Sequence, residues 1–161
     1  MQQRETGFTL VELMVTVAVI ALILMIGVPG IVNMKRNSDL ITTARELTVA
    51  LNYARAEAVR QGVDIDVVAK VGGWGTGWEI QLSSDGSVIR SFEAPPTGIA
   101  LALTGGPVTF EGLGNVAATA CFDVTVSDSS SVRSLPISAA GRVTTCRASC
   151  TVITGDPTKC D

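Results

Sequence analysis

Across residues 8–32 every position is apolar, small, Thr or Pro, with the single exception of Glu12. As a helix these 25 residues would extend ~37 Å, against a hydrocarbon core of ~30 Å, so they predict a membrane-crossing helix with some tilt. A cleaved secretory signal has a shorter apolar region, about 7–15 residues, followed by a small-x-small cleavage site. Here the run is longer and leads into "NMKRN", so the segment is expected to stay in the mature protein. Beyond it the pattern changes. Leu40, Ala44, Leu47, Leu51, Ala54 and Ala58 alternate steps of four and three, which places one apolar stripe on a helix. Arg45, Glu46, Asn52, Arg55, Glu57 and Arg60 fill most other faces, and Gly62 stands where a left-handed C-terminal cap belongs. One helix is therefore expected over residues 8–61, with a kink or local melting where Gly27, Pro29 and Gly30 interrupt it.

From Val63 onward the period shortens to two. "VDIDVVAK", "GWEIQLS" and "SVIRSFE" read as strands, the last two joined by a Ser84-Asp85-Gly86 turn. Further short runs follow at "IALALT", "PVTFEG", "CFDVTVS", "VRSLPIS" and "GRVTTC", with no second long helix. The fold class is α+β: one long N-terminal helix packed on a C-terminal antiparallel β-rich head. The divisions are a short polar segment over residues 1–7, which the resemblance given below makes a leader, the membrane half of the helix over 8–32, its amphipathic half over 33–62, and the head over 63–161.

Charge and cysteine usage orient this arrangement. Arg4 before the run is offset by Glu5, while Lys35, Arg36 and Arg45 follow it, so the positive-inside rule is ambiguous or points the other way. All four cysteines, Cys121, Cys146, Cys150 and Cys160, fall in the last quarter, a pattern that suits disulfides and an oxidising compartment. The head is thus expected outside the cytoplasm. Three pairings are open; Cys121 opens one strand and Cys146 ends another, which favours joining them and leaving Cys150 and Cys160 to close a terminal loop. The head carries six Lys/Arg against ten Asp/Glu, a balance that disfavours a general nucleic-acid binder.

The chain has no histidine, which removes the commonest general base and the usual nucleophile–base pairs. "GGWGTGW" precedes no helix that could hold a phosphate, and reads as a turn between strands with Trp74 and Trp78 packing nearby. "CRASC" with Cys121 and Cys160 fits no common zinc spacing. Asp64 and Asp66 share one face of a strand as solvated residues. No catalytic constellation, metal site or cofactor is expected.

Glu12 remains. A carboxylate at membrane depth is unfavourable by ~2.5–3.5 kcal/mol on insertion scales and needs a partner, and the nearest cation would be an amine freed at Phe8. "GFTLVEL", with a short polar leader, Gly before Phe and Glu five residues into the run, resembles the class III signal of type IV pilins and type II secretion pseudopilins. The resemblance implies cleavage by a prepilin peptidase between Gly7 and Phe8, N-methylation of Phe8, and docking of Glu12 against the amine of a neighbouring subunit. "ALNYARAEAVRQG", "GWGTGWEI", "VTFEGLGNV" and "GRV" are similar to minor pilins and pseudopilins of the GspH/FimT kind. That likeness implies a β-sandwich-like head, a place near the filament tip, and a non-enzymatic role in initiating or capping a pilus. It also implies other minor and major pilins as partners, an inner-membrane assembly platform, and an inner-membrane anchor with the head in the periplasm.

Two other roles share this fold. One is a type II secretion pseudopilin. The other is a DNA-uptake receptor, a subgroup with a C-terminal Gly-Arg-x-Arg motif. Here Gly141-Arg142-Val143 is followed by Thr144, leaving Arg142, Arg147 and Lys159 as the candidate DNA contacts.

Overall fold

The computed structural model describes residues 8–153 and Cys160, apart from the side chains of residues 26–29. The expected leader with Gly7, and the candidate Lys159, lie outside the described residues. The chain divides into two compact units, Met1–Lys35 and Arg36–Asp161. Helix α1, Leu10–Gln61, begins in the first and ends in the second. Helical structure continues through Gly27, Pro29 and Gly30, so the local melting expected there is not found. A proline removes only one N–H from the ladder, and the apolar turns on either side keep their own bonds.

Within the second unit α1 lays down the stripe that its spacing predicts. Leu40, Leu47, Leu51, Ala54 and Ala58 are wholly buried, with Ala44 and Ala50 beside them. Burying each leucine contributes about 1.5–3 kcal/mol. Gly62 ends the helix at φ 68°, and the N–H groups of Gly62 and Val63 both donate to the Ala58 carbonyl.

Seven strands follow: β1 Ile65–Ala69, β2 Trp78–Leu82, β3 Val88–Phe92, β4 Ile99–Gly105, β5 Val108–Phe110, β6 Ala120–Val126 and β7 Val132–Ile137. They form two antiparallel sheets, ordered β3-β2-β1-β5 and β4-β6-β7. Period-two alternation is clean in β6, where Ala120, Phe122, Val124 and Val126 are buried and the residues between them are not. Residues of both sheets and of the α1 stripe share one hydrophobic cluster. The glycine-rich stretch is the turn between strands that was expected: Trp74–Thr76 makes one 3₁₀ turn, Trp74 meets Phe122 edge-on, and Trp78 stacks on Phe92.

One expected strand is absent. "GRVTTC" forms only isolated bridges to β7, Val143 to Ile137 and Cys146 to Ser134. The cause lies in β7, where Pro136 has no N–H to donate. Ser134 and Cys146 exchange both backbone bonds, while Thr144 donates to the Pro136 carbonyl and receives nothing back. A proline tolerated on a sheet edge thereby breaks the ladder that would have extended the sheet.

At the end of α1, Arg60 donates through Nε to Glu57 at 2.8 Å and also through Nη2, and Gln61 donates at 2.5 Å. These hydrogen bonds, Arg60 first and Gln61 second, hold the Glu57 carboxyl at about 2, well below its ordinary 4.5. A depressed carboxylate contributes stability that is present above the unfolded value and lost as pH falls through the folded one. The Glu57 contribution is therefore full above about pH 4.5 and drains away toward about pH 2. Urea midpoints followed across that window should fall with acid in the wild type, and Glu57→Gln should flatten that part of the decline.

Candidate assembly surface

In the first unit, helix α1 opens on a built cap. The Thr9 carbonyl accepts from the Leu13 N–H, and Thr9 Oγ1 accepts from the backbone N–H of Glu12 at 3.2 Å. Thr9 is thus the N-cap and Glu12 the third helical residue, the Thr-x-x-Glu spacing of a capping box. That spacing is present in the sequence, where the charge of Glu12 at membrane depth is the more conspicuous signal. Its placement in the first turn also sets the carboxylate at the positive end of the helix dipole. Thr16 satisfies its own hydroxyl by donating to the Leu13 carbonyl at 2.9 Å, as a polar side chain among apolar neighbours must.

Among the described residues the apolar surface of this unit is uncovered. Leu10, Val11, Leu13, Met14, Ile20, Leu22, Ile23 and Met25 are all more than half exposed. They surround the helix rather than forming one stripe, so the whole perimeter needs an apolar environment. By length and composition α1 can cross a membrane. Phe8, the residue expected to become the N-terminus, is 80% exposed.

In the second unit, one side chain ties together sequence motifs that are far apart. Arg55, in "NYARAEA", donates through Nε to the carbonyl of Gly114 at 2.8 Å and through Nη2 to the carbonyl of Ala140 at 2.9 Å. Gly114 belongs to "EGLGNV", and Ala140 precedes "GRV". Gly141 adopts φ 71°, and a Cβ placed there would lie 2.1 Å from the Gly114 carbonyl oxygen and 3.0 Å from Arg55 Nε. Three motifs thus meet at one latch between the helix and two loops, which gives Gly141 a packing role.

The disulfides pair differently from expectation: Cys121 with Cys150, and Cys146 with Cys160. The reason is a matter of faces. Cys121 and Asp123 lie on the side of β6 away from the core, and Asp123 Oδ1 accepts the backbone N–H of Cys150 at 2.8 Å. That bond brings Cys150, which opens the short helix α2 (Cys150–Ile153), against Cys121. Cys146 sits instead beyond the far edge of β7, bridged to Ser134. In the chain-entropy model bridges of these separations, 29 and 14 residues, are worth about 3–4 and about 3 kcal/mol.

Of the candidate DNA contacts, Arg142 and Arg147 are among the described residues. Arg142 is exposed in the turn closed by Ser138 and Gly141, its backbone N–H donating to Ser138 Oγ. Arg147 lines a groove of about 340 Å³ together with Arg45 and Arg133, and Arg142 is not among the lining residues. Asp66 accepts from Thr109 Oγ1 at 2.6 Å, and Asp64 accepts from the Gly112 N–H, so both carboxylates knit loops and strands.

Comparison with curated proteins returns no match. The family model described as type II transport protein GspH matches residues 43–141, and that of the prokaryotic N-terminal methylation motif matches residues 2–28. Two crystal structures of the type IV minor pilin FimU from Pseudomonas aeruginosa (strain PAO1) are similar. One is 28% identical, with TM-score 0.58, covering 68% of this chain and 90% of the chain in that crystal. The other is 29% identical, with TM-score 0.54, covering 65% and 90%. The minor pseudopilin EpsH from the Type 2 Secretion System of Vibrio cholerae, at 12% identity and TM-score 0.54 over 66% of this chain and 95% of its own, shares the fold. The methylation motif and the apolar helix fit a membrane-anchored pilus subunit. With a match over more than half its length that takes in the whole Arg55 latch, the chain belongs to the GspH family of minor pilins and pseudopilins, structural subunits rather than enzymes.

Proposed function

We propose that the chain serves a type IV pilus as a minor pilin that helps to initiate or cap the filament. In this reading a prepilin peptidase removes residues 1–7, Phe8 becomes the methylated N-terminus, and the helix over residues 8–32 leaves the inner membrane for the filament core. Residues 33–62 carry the periplasmic head, residues 63–161, to the outside of the filament, near its tip. Other minor pilins and the major pilin are the partners, and an inner-membrane platform assembles them. The observation that carries the reading is the likeness to FimU, 28% identical over 68% of this chain, where EpsH reaches 12%. Deleting the gene should lower pilus number and leave protein secretion unchanged. Loss of secretion with normal pili would make the chain a secretion pseudopilin.

DNA has no part in this role. Ten Asp/Glu against six Lys/Arg give the head a field that repels a polyanion at long range. The expected result of a shift titration of the full chain with duplex DNA at physiological salt is no complex. Micromolar binding abolished by Arg142→Ala and by Arg147→Ala would favour the uptake receptor instead.

A further inference from the structure

Arg45, Arg133 and Arg147, which line one groove, have no part in the latch, the core or the signal. Arg45 comes from α1, Arg133 from β7 and Arg147 from the segment after it, with Ile41 and Ala44 as apolar floor. Cys146 also lines the groove and is fixed by its bond to Cys160. Among the described residues none of the three arginines has a carboxylate partner, whereas Arg36, earlier in α1, reaches Asp128 at 3.4 Å. Arg133 donates, among the described residues, only to the carbonyl of Val132, its own neighbour, at 3.1 Å. Three like charges around one groove repel one another, and an anion seated among them offsets that repulsion. Guanidinium forks match carboxylates and phosphates alike, and of the two a carboxylate is what a neighbouring protein subunit carries in its own side chains.

We propose that Arg45, Arg133 and Arg147 form a docking groove for an acidic segment, with clustered carboxylates, on the head of a neighbouring pilin. The proposal rests on the filament role above and supplies it with a head-to-head contact. Its charge argument also separates this partner from a free polyanion. A dissolved polyanion must be steered in against the acidic head, whereas a neighbour held by helix packing presents its carboxylates at high effective concentration. Arg45 and Arg133 fall inside the family match at residues 43–141, and Arg147 lies beyond it.

The test has an arm in solution and an arm in cells. The full chain in nonionic detergent is titrated with a fluorescent peptide, acetyl-Asp-Glu-Asp-Glu-amide, up to millimolar concentration, which stands in for the effective concentration that a neighbour in the filament supplies. Arg45 and Arg147 are both exposed, so Arg45→Gln with Arg147→Gln should leave the fold intact by circular dichroism and weaken binding at least tenfold. Arg142→Gln should change nothing. Absence of peptide binding, equal binding by the double variant, or equal displacement by inorganic phosphate would overturn the proposal. So would binding that appears only after Asp156→Asn with Asp161→Asn, because the groove would then be filled by the chain's own carboxylates. In cells, Arg45→Glu with Arg147→Glu should leave the chain in the membrane and deplete it from sheared pili at least fivefold. Undiminished entry would defeat the groove alone, whereas absence of the wild-type chain from pili would defeat the filament role.

Discussion

Gly141→Ala is expected to lower the stability of the head by about 3 kcal/mol, a fall of roughly 10 °C in melting temperature. Two costs combine. At φ 71° an L side chain is strained, and the new Cβ would meet the Gly114 carbonyl oxygen 2.1 Å away, a backbone atom that cannot swing aside. Gly86 separates these costs, because it has the same φ of 71° and a Cβ there would meet nothing within 4 Å. Gly86→Ala should therefore cost only about 1 kcal/mol, the conformational part. Arg55→Ala, which abandons both carbonyls, should cost about 2 kcal/mol. Combined with Gly141→Ala it should add less than its own value, since both changes damage one contact. Thermal unfolding of the full chain in detergent, disulfides intact, checks the series; equal losses at Gly141 and Gly86 would mean that the close approach to Gly114 contributes nothing.

The latch also marks where reading the sequence stops. The stripe from Leu40 to Ala58 was legible because helical periodicity is local, and Leu40, Leu47 and Leu51 are indeed wholly buried. The seven strands were legible for the same reason, and "GRVTTC" misled because the missing N–H that breaks its ladder belongs to Pro136 on another segment. "ALNYARAEA", "EGLGNV" and "GRV" could be matched to a family, but nothing local shows that Arg55 bonds to carbonyls 59 and 85 residues away. The cysteine pairing depended on which face of β6 Cys121 occupies and on Asp123 capturing the Cys150 N–H, neither of which spacing reveals. The groove is hidden in the same way, since its arginines are scattered over residues 45, 133 and 147.

Glu12→Ala is expected to insert into the membrane at least as well as the wild type and to enter filaments at a tenth of its level or less. Removing the carboxylate relieves a desolvation cost that reaches ~2.5–3.5 kcal/mol at a helix centre and is smaller in the first turn, so poor incorporation could not be blamed on poor insertion. The capping geometry raises a second role for Glu12, as the third helical residue of the box that begins at Thr9. Glu12→Gln distinguishes the roles. Glutamine serves a capping box as glutamate does, but it carries no charge to neutralise a neighbour's amine. If docking governs assembly, Gln is as defective as Ala; if the cap governs it, Gln behaves as wild type.

Mass spectrometry of pili sheared from cells brings these strands together. The account predicts that the filaments contain this chain with an N-terminal peptide starting at methylated Phe8, and that Glu12→Gln is depleted from them at least tenfold while abundant in the membrane. A chain confined to the membrane with residues 1–7 still attached, or Glu12→Gln filling pili as readily as the wild type, would contradict it.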